Sequence, residues 1–315
     1  FRPLAYNCIR SGIQKEFPSE FEVFWVDDLD SVNIGVGENA DVLLVSSLSQ
    51  YWLDACKAIK IFRERNPSAW IIVGGHHISH FPNSLPEQAD YAIAAEGEIV
   101  LPKLLQLLMQ SSHPPKEEVA VIPGIIFREK NGAGNSCCSL AERIPADQLV
   151  FPDRCVDGYR EIVPYLLTSR GCPYKCTFCS SGEHWQRVSY SSIEQVADEI
   201  AQIAELYPQL ETIPICDDLF VADKDRLKQL HRELQNRDLL GKMSFSANVR
   251  ADLVDDELCE LLKSLNVTIA CFGFESATDR ILKILKPQGS CSVEQNMTAI
   301  EVLHRHGLEG YLSCV

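Results

Sequence analysis

The sequence predicts a two-domain α/β protein in which a doubly wound, Rossmann-like domain precedes part of a TIM-like (β/α) barrel. Two observations support this fold class. Short apolar runs alternate with helical patterns through most of the chain, as in parallel sheets that are covered by helices. The chain also has 315 residues, more than one hydrophobic core usually organises. We expect a first domain at 1–108, a linker at 109–164 and a second domain at 165–315.

Composition and charge narrow the class of protein. The chain has 44 acidic and 29 basic side chains, a formal net charge of −15, and such a surface repels nucleic-acid phosphates. No apolar run approaches the roughly 20 residues that a membrane helix needs, and no signal segment opens the chain. We therefore expect a cytoplasmic protein without a membrane or nucleic-acid partner. Most of its 13 cysteines should be reduced, because disulfide-dense proteins are small and secreted.

The first domain alternates strand-like and helical segments. Residues 3–17 and 51–67 carry apolar groups at helical spacing, and the second segment ends at a proline. Because a helix opens the chain with no strand before it, we expect that a first strand is missing and that the chain is a fragment. Four short apolar runs end in Gly, Ser or acidic residues, as buried parallel strands do at a ligand-binding edge. They are "FEVFWVDD" at 21–28, "DVLLVSS" at 41–47, "WIIVGG" at 70–75 and "DYAIAAEGE" at 90–98.

Residues 109–164 have the composition of a linker with one short hairpin. Proline, glycine and charged residues surround a single apolar run in "IPGIIFREKNGAG" at 122–134. Cys137 and Cys138 also lie here, and adjacent loop cysteines without a second pair nearby are more often incidental than ligands.

The second domain is predicted to be a TIM-like barrel that is cut short at its carboxyl terminus. Capping boxes at Ser192 with Gln195 and at Ser292 with Gln295 mark the starts of two helices. Five strand-like runs alternate with the helices of this domain: "YLLTSRG" at 165–171, "TIPICDD" at 212–218, "MSFSANVR" at 243–250, "TIACFGFES" at 268–276 and "YLSCV" at 311–315. The chemistry of such barrels lies at the carboxyl ends of the strands. The residues found there are Cys172, Asp217, Asp218, Arg250 and Glu275.

Three cysteines follow the first barrel strand in "TSRGCPYKCTFCSSG" at 168–182. Cys172, Cys176 and Cys179 form a C-x3-C-x2-C set. Iron–sulfur clusters are held by cysteine thiolates, and a cubane normally has four of them. With three local ligands, the fourth iron would keep a position open to a substrate or cofactor. A zinc site would need two separated cysteine pairs, and three cysteines packed as apolar groups do not fit a loop of Arg, Lys, Thr and Ser.

This cysteine set and the segments after it resemble the radical S-adenosylmethionine (SAM) enzymes. The family signature is C-x3-C-x-aromatic-C, and Phe178 supplies the aromatic residue. Three further segments at 215–220, 246–252 and 272–276 are similar to segments of the same family: "ICDDLF", "SANVRAD" and "FGFES". The resemblance covers residues 165–315. It implies a [4Fe–4S] cluster whose unique iron chelates the amino and carboxylate groups of SAM, and an electron from the cluster that cleaves SAM to a 5′-deoxyadenosyl radical.

Within this resemblance, residue types predict roles for the polar groups at the strand ends. The Arg250 guanidinium suits a bidentate pair with the methionyl carboxylate. Asp218 or Glu275 is a candidate acceptor for the SAM ammonium or ribose hydroxyls, and Phe178 is expected near the adenine or over the cluster. Two structural alternatives stay open: Asp217 caps a loop, and Arg250 pairs with Glu275 across neighbouring strands.

The first domain resembles the cobalamin-binding domain that precedes the barrel in one large radical SAM subfamily. Its strand ends "VSSLSQYW", "VGGHHIS" and "AAEGE" offer hydroxyls, and their glycines let the backbone approach a large cofactor. A histidine ligand is not implied, because the cobalt of this subfamily often lacks one. The alternative is a degenerate domain that has lost the cofactor. The resemblance implies cobalamin contacts for Ser46, Ser47, Gly74, Gly75, His76, Glu96 and Gly97.

Together, the two resemblances imply a cobalamin-dependent radical SAM enzyme, and we expect a methyltransferase that acts on an unactivated centre of a small-molecule substrate. The expected partner is an electron donor such as flavodoxin or ferredoxin. Three alternatives stay open: a ring-forming or rearranging enzyme of the subfamily, a transfer-RNA methylthiotransferase and a non-catalytic iron–sulfur redox module. The acidic charge argues against the methylthiotransferase, as does the presence of only Cys8 and Cys56 before the linker. The redox module needs neither the arginine nor the repeated barrel.

Overall fold

The computed structural model describes residues 4–23, 39–94, 96–111, 114–128, 135–137, 152, 154, 164–185, 187–289 and 291–314. The chain divides into two compact units. Unit 1 comprises residues 1–144 and 150–160, and unit 2 comprises residues 145–149 and 161–315. Among the described residues, no helix is both long and apolar enough to cross a membrane.

Unit 1 is built on a mixed sheet with the strand order β1-β2-β3-β4-β5. β1, β2 and β3 are parallel, so their carboxyl ends share one edge, whereas β4 and β5 are antiparallel. The interior strand β2 buries Ile71, Ile72 and Val73 in succession, as a strand covered on both faces does. The strands are β1 (Val42–Ser46), β2 (Trp70–Gly74), β3 (Tyr91–Ile93), β4 (Ile125–Arg128) and β5 (Asn135–Cys137).

Helices cover both faces of this sheet. They are α1 (Leu4–Glu16), α2 (Trp52–Arg65), α3 (His76–His80), α4 (Gly97–Gln110) and α5 (Lys116–Ala120). Ile72 belongs to an apolar cluster with Ile13 of α1 and Leu104 of α4. Ile71 belongs to a second cluster, with Ile59 of α2. These two layers confirm the predicted doubly wound pattern.

Most predicted elements of unit 1 are confirmed. Helices occupy the predicted segments at 3–17 and 51–67, and strands occupy those at 41–47 and 70–75. The run predicted as a strand at 90–98 is a strand only at Tyr91–Ile93, and a helix begins at Gly97. The predicted strand at 21–28 lies outside the described residues from position 24 onward, as does Cys138. The hairpin predicted around 122–134 is present as β4 and β5, and β4 pairs with β3 to extend the sheet.

Unit 2 contains a four-stranded parallel sheet in the order β11-β10-β9-β8 and a separate antiparallel pair, β6 and β7. The predicted first barrel strand meets the sheet only through a parallel bridge between Leu166 and Ile215. Its next residues pair with β7 instead, at Ser169 and Arg170. The strands are β6 (Ser169–Arg170), β7 (Ser189–Tyr190), β8 (Thr212–Ile215), β9 (Ser244–Asn248), β10 (Val267–Glu275) and β11 (Glu309–Cys314).

The helices of unit 2 follow its strands in chain order. They are α6 (Ser181–Trp185), α7 (Ile193–Leu206), α8 (Lys224–Asn236), α9 (Asp256–Ser264), α10 (Asp279–Leu285) and α11 (Val293–Arg305). Ile213, Phe245 and Phe272 of the sheet share one buried cluster with apolar residues of α7, α8, α9 and α11. Parallel strands that alternate with helices in this order form part of a (β/α) barrel, as predicted.

Local hydrogen bonds fix the starts of two predicted helices. At α7, the Ser192 hydroxyl accepts from the Gln195 N–H at 3.1 Å, and the Gln195 side-chain oxygen accepts from the Ser192 N–H at 3.2 Å. The predicted capping box is therefore confirmed. At α11, the Ser292 hydroxyl accepts from the Gln295 N–H at 3.1 Å, which is the hydroxyl half of the second predicted box.

Candidate functional site

The carboxyl ends of the unit 2 strands carry the polar residues that the sequence predicted. The three cysteines follow β6, Asp217 and Asp218 follow β8, Arg250 follows β9 and Glu275 ends β10. β8, β9 and β10 are parallel neighbours, so the residues that follow them lie along one edge of the sheet. The structure thus gathers on one edge residues from Asp217 to Glu275, which are 58 positions apart in the chain.

The cysteine loop, residues 171–181, presents three thiols. Cys172 and Cys176 are half-buried and Cys179 is exposed, and the Cys179 N–H donates to the Cys176 carbonyl at 3.1 Å. Burial raises the pKa of the Cys172 thiol, a backbone hydrogen bond at Tyr174 opposes the rise, and the charges of Asp218, Cys176 and Cys179 add to it. The Cys172 sulfur is therefore within electrostatic reach of the other two sulfurs. Three reduced thiols in one loop at the sheet edge fit an iron–sulfur cluster as its donor set.

Asp217 holds the strand that leads into the cysteine loop. Its side chain is buried and accepts three hydrogen bonds, from the Thr168 N–H at 2.7 Å, the Thr168 hydroxyl at 2.6 Å and the Ser169 hydroxyl at 2.6 Å. Burial raises the pKa of Asp217, and the hydrogen bonds from Ser169 and Thr168 oppose that rise. The structural alternative for Asp217, a cap on the neighbouring loop, is confirmed.

Asp218 joins the two ends of the cysteine loop. Its Oδ2 accepts from the Gly171 N–H at 3.1 Å, and its Oδ1 accepts from the Ser181 hydroxyl at 2.6 Å. Both oxygens thus have partners within the chain, and the predicted contact of Asp218 with SAM remains a prediction. Phe178 lies in the same loop with 44% of its surface exposed, and its contact with adenine or the cluster also remains a prediction.

Arg250 lies beside the cysteine loop and is buried. Its Nε donates to Asp252 Oδ1 at 2.6 Å. Its terminal nitrogens contact the Gln288 carbonyl at 2.5 Å, the Cys291 Sγ at 3.0 Å and the Cys176 Sγ at 3.5 Å. Because these contacts leave no free pair of parallel N–H groups, a methionyl carboxylate would have to displace one of them to be bound in the predicted bidentate manner.

The surroundings of Arg250 keep it cationic. Its guanidinium carbon lies 3.9 Å from the ring centre of Tyr174, which is cation–π distance. Burial lowers the pKa of Arg250, but the charge and the hydrogen bond of Asp252 outweigh burial, so the pKa is raised overall. A fixed positive charge therefore lies next to a cysteine that the sequence predicts as a cluster ligand.

Glu275 is buried at the end of β10 in the left-handed region, with φ of 59°. Its Oε1 lies 3.3 Å from Lys286 Nζ, which also donates to the Gly273 carbonyl at 2.5 Å. The carboxylate lies directly over Gly273, where an added Cβ would be 1.6 Å from Oε1. The structural alternative in which Arg250 and Glu275 pair with each other is therefore excluded, because Arg250 pairs with Asp252 and Glu275 with Lys286.

Four residues of this site were not predicted: Asp252, Lys286, Gln288 and Cys291. Asp252 had a signal, since it stands two residues after Arg250 in the predicted "SANVRAD" segment. The other three lie just after α10, where "KPQGSC" indicates only that a helix has ended. Cys291 is buried, and burial raises the pKa of its thiol while the charge of Arg250 opposes the rise.

In unit 1, the predicted serines and glycines follow β1 and β2. Ser46 is exposed, whereas Ser47 is buried and its hydroxyl donates to the next carbonyl at 2.9 Å. Gly75 has φ of 95°, and an added Cβ would lie 2.7 Å from the backbone N and O of Ser47. The reason given for this glycine is thus corrected: the approach of the chain's own β1 loop requires it. Gly74 is open on the side of the described residues, of which only the Val45 carbonyl lies near an added Cβ, at 4.0 Å.

The remaining predicted residues of unit 1 lie at the starts of two helices. His76 begins α3 and is half-buried, while Glu96 is buried and precedes Gly97, the first residue of α4. Leu48, which follows β1, and Tyr51, which follows soon after, are 47% and 59% exposed. An open glycine with exposed apolar side chains near it suits a large, partly apolar ligand such as cobalamin.

Both ring nitrogens of His77 have hydrogen-bond partners within the protein. Its Nδ1 lies 2.9 Å from the Ser49 hydroxyl and its Nε2 lies 3.1 Å from the Ser84 hydroxyl. Its ring stacks on Trp52 with 4.1 Å between the ring centres, and burial lowers its pKa. With both ring nitrogens engaged, His77 offers no nitrogen to a metal in this structure.

Fold and site together define a class of protein, the barrel enzymes that carry a three-cysteine iron–sulfur loop at the carboxyl ends of their strands. Residues 166–315 match the family model of the Radical SAM superfamily. The match covers the barrel strands and the cysteine loop of unit 2, and the matching superfamily implies a [4Fe–4S] cluster and SAM as cofactors.

Relatives cover the first unit as well. The chain is 25% identical to an uncharacterized methyltransferase of Pyrococcus horikoshii, over 97% of this chain and 67% of that protein. It is 25% identical to cytidylyl-2-hydroxyethylphosphonate methyltransferase of Streptomyces wedmorensis, over 84% of this chain and 56% of that protein. The chain thus spans between about half and two thirds of the length of these relatives.

A solved structure shares the fold of the described chain. The radical SAM methyltransferase TsrM of Kitasatospora setae, solved with cobalamin and a [4Fe–4S] cluster bound, is similar with a TM-score of 0.79 at 17% identity. The match covers 99% of this chain and 64% of TsrM. At this identity the likeness shows a common fold, an amino-terminal parallel-sheet domain followed by a radical SAM region.

Proposed function

We propose that this chain acts as a cobalamin-dependent radical SAM methyltransferase on an unactivated centre of a small molecule. The single observation that carries the proposal is the three-thiol loop at the sheet edge with the Arg250 guanidinium 3.5 Å from the Cys176 sulfur. The methyltransferase names of the relatives support the choice of reaction. When bound, the cluster supplies the electron that cleaves SAM to a 5′-deoxyadenosyl radical, and cobalamin supplies the methyl group.

The chain's own residues would bind and orient these cofactors. Cys172, Cys176 and Cys179 would hold three irons as thiolates, and the cation of Arg250 would offset part of the negative charge that a thiolate-bound cluster carries. Glu275 is buried, and its Oε1 lies 3.3 Å from Lys286 Nζ. We assign the other carboxylate oxygen, Oε2, as the acceptor for the ammonium or a ribose hydroxyl of SAM.

In unit 1, we assign cobalamin to the edge formed by the carboxyl ends of β1, β2 and β3. The open face of Gly74 and the exposed side chains of Leu48 and Tyr51 support this assignment. A flavodoxin or ferredoxin would deliver the electron to the cluster, since SAM cleavage needs a low-potential donor.

Anaerobic reconstitution with iron and sulfide tests the cluster assignment. We expect an EPR signal of a reduced [4Fe–4S] centre that changes when SAM is added, and 5′-deoxyadenosine after incubation with dithionite and SAM. Cys176→Ala should lose both. Cys56→Ala, a half-buried cysteine of α2, is the matched control and should keep both. If Cys176→Ala still assembled the full cluster, the assignment would be wrong, and a SAM-insensitive cluster would leave a redox module instead.

A second experiment tests cobalamin separately from the radical chemistry. Gly74→Leu should abolish retention of hydroxocobalamin after gel filtration, because a Cβ at the carboxyl end of β2 meets nothing nearer than 4.0 Å among the described residues and the larger side chain would enter the space that we assign to the cofactor. Ser68→Leu adds the same side chain at an exposed position near the amino end of β2 and should keep the corrinoid absorbance. Wild-type protein that never retains a corrinoid would indicate a degenerate domain.

A further inference from the structure

One short segment contacts three parts of the proposed site. The clamp segment, Ile284–Gln288, comprises the last two residues of α10 and the three residues after it. None of its residues was predicted to act at the site. It contacts the cysteine loop, Arg250 and Glu275. These three groups follow different strands and lie far from one another in the sequence.

The first contact holds the middle of the cysteine loop. The Thr177 N–H donates to the Leu285 carbonyl at 2.9 Å, and the Thr177 hydroxyl donates to the Ile284 carbonyl at 3.1 Å. The Lys175 N–H donates to the side-chain oxygen of Gln288 at 3.0 Å. These bonds flank Cys176 on both sides, so the clamp segment fixes the backbone around the central cysteine.

The second and third contacts reach the charged side chains. The Gln288 carbonyl accepts from an Arg250 terminal nitrogen at 2.5 Å. Lys286 Nζ lies 3.3 Å from Glu275 Oε1, and both side chains are 6% exposed. A charge buried to this degree is stable only with a partner, because water no longer solvates it. Among the described residues, Lys286 is the cation that pairs with Glu275.

We propose that the clamp segment is a positioning element for the SAM and cluster site, and that Lys286 is the positioning residue that aims the Glu275 carboxylate. Lys286 Nζ lies 3.3 Å from Oε1 and donates to the Gly273 carbonyl, which fixes the carboxylate over the strand, and we assign Oε2 to the ligand. The inference rests on the proposed function for the identity of that ligand. The pairing of the two side chains does not depend on it.

The first test uses the protein without cofactors and measures unfolding of Lys286→Met, Glu275→Gln and the double variant. Removal of one member of a buried pair leaves the other charge uncompensated, whereas removal of both does not. We expect each single variant to unfold at a lower urea concentration than the wild type, and the double variant to unfold at a higher concentration than either single one. Lys283→Met, an exposed lysine of α10, is the matched control and should behave as the wild type.

The second test measures SAM affinity of the reconstituted proteins from the change that SAM causes in the EPR spectrum. Lys286→Met should raise the Kd by about tenfold or more, because Glu275 is no longer held in place. Glu275→Gln should raise it similarly, and the double variant should be no worse than either, since Lys286 acts through Glu275. A merely structural lysine would weaken binding additively in the Glu275→Gln background.

The outcomes separate the two proposals. Wild-type protein that shows no SAM-dependent spectrum contradicts the proposed function, and the unfolding cycle then decides the pairing by itself. Additive losses in the unfolding cycle overturn the positioning role whatever the cofactor result. An unchanged Kd in Lys286→Met, in protein with full iron content, overturns it as well.

Discussion

Removal of the Asp217 carboxylate would test how firmly the chain holds the strand that enters the cysteine loop. Asp217→Ala leaves the buried Thr168 N–H without its acceptor and deprives the hydroxyls of Thr168 and Ser169 of theirs. A buried donor that loses its partner costs about 1–3 kcal/mol, and the two hydroxyls can rotate toward other acceptors. One full penalty and two partial ones give a loss of about 3 kcal/mol in the free energy of local opening.

The assay is hydrogen–deuterium exchange of the peptide that contains Thr168 and Ser169, read by mass spectrometry. A loss of about 3 kcal/mol corresponds to roughly 100-fold faster exchange, since each 1.4 kcal/mol is tenfold. Asp225→Ala is the matched control, because that aspartate is exposed on α8, and it should leave the peptide unchanged. An exchange rate in Asp217→Ala within about threefold of wild type would refute the reasoning that these hydrogen bonds fix the strand.

Three further outcomes follow from single contacts. Burial raises the pKa of Asp217 above its ordinary 3.8, so the folded protein binds this proton more tightly than the unfolded chain. The contribution of this group to the free energy of unfolding therefore falls as the pH rises from 3.8 through the folded pKa. Asp217→Asn should flatten that slope in a pH series of urea unfolding, and an unchanged slope would contradict it. Ser192→Ala removes the cap of α7 and should cost about 1 kcal/mol in urea unfolding, with a loss below about 0.3 kcal/mol as the contrary result. Gly273→Ala should displace the Glu275 carboxylate and raise the Kd for SAM about tenfold, whereas Gly310→Ala, which meets nothing nearer than 3.8 Å, should not.

Local patterns were enough to predict the parts of the site that are close in sequence. The three cysteines lie within eight residues, so their spacing alone indicated a shared ligand. The capping box at Ser192 closes within four residues and was equally readable. The strand ends followed from the alternation of apolar runs and helices, which placed Arg250 and Glu275 at one edge of the sheet.

The choice of partners within the site could not be predicted in this way. Arg250 and Glu275 both stand at strand ends, and whether they meet depends on a few ångströms that no sequence period encodes. Lys283 and Lys286 stand three residues apart near the end of the same helix, yet the first is exposed and the second is buried on Glu275. The bond between Lys175 and Gln288 spans 113 positions and has no local signal.

The group that approaches Gly75 could not be predicted from the sequence either. A glycine at the end of a strand predicts a close approach, but the sequence does not say to what. Here the approaching atoms are the backbone N and O of Ser47, which belong to the neighbouring loop of the same sheet. Only the register of β1 against β2 decides this, and it is set by packing on both faces of the sheet.

The Asp218 carboxylate, which ties Gly171 to Ser181, bears on how the protein acquires iron. With its ends tied and its middle fastened at Thr177, the loop keeps little conformational freedom to lose when a metal arrives. The loop loses its conformational entropy when the chain folds, whereas small zinc modules fold only when they bind their metal. The cysteine loop should therefore change little in conformation when it binds iron. The far-ultraviolet circular dichroism should be nearly the same with and without the metal.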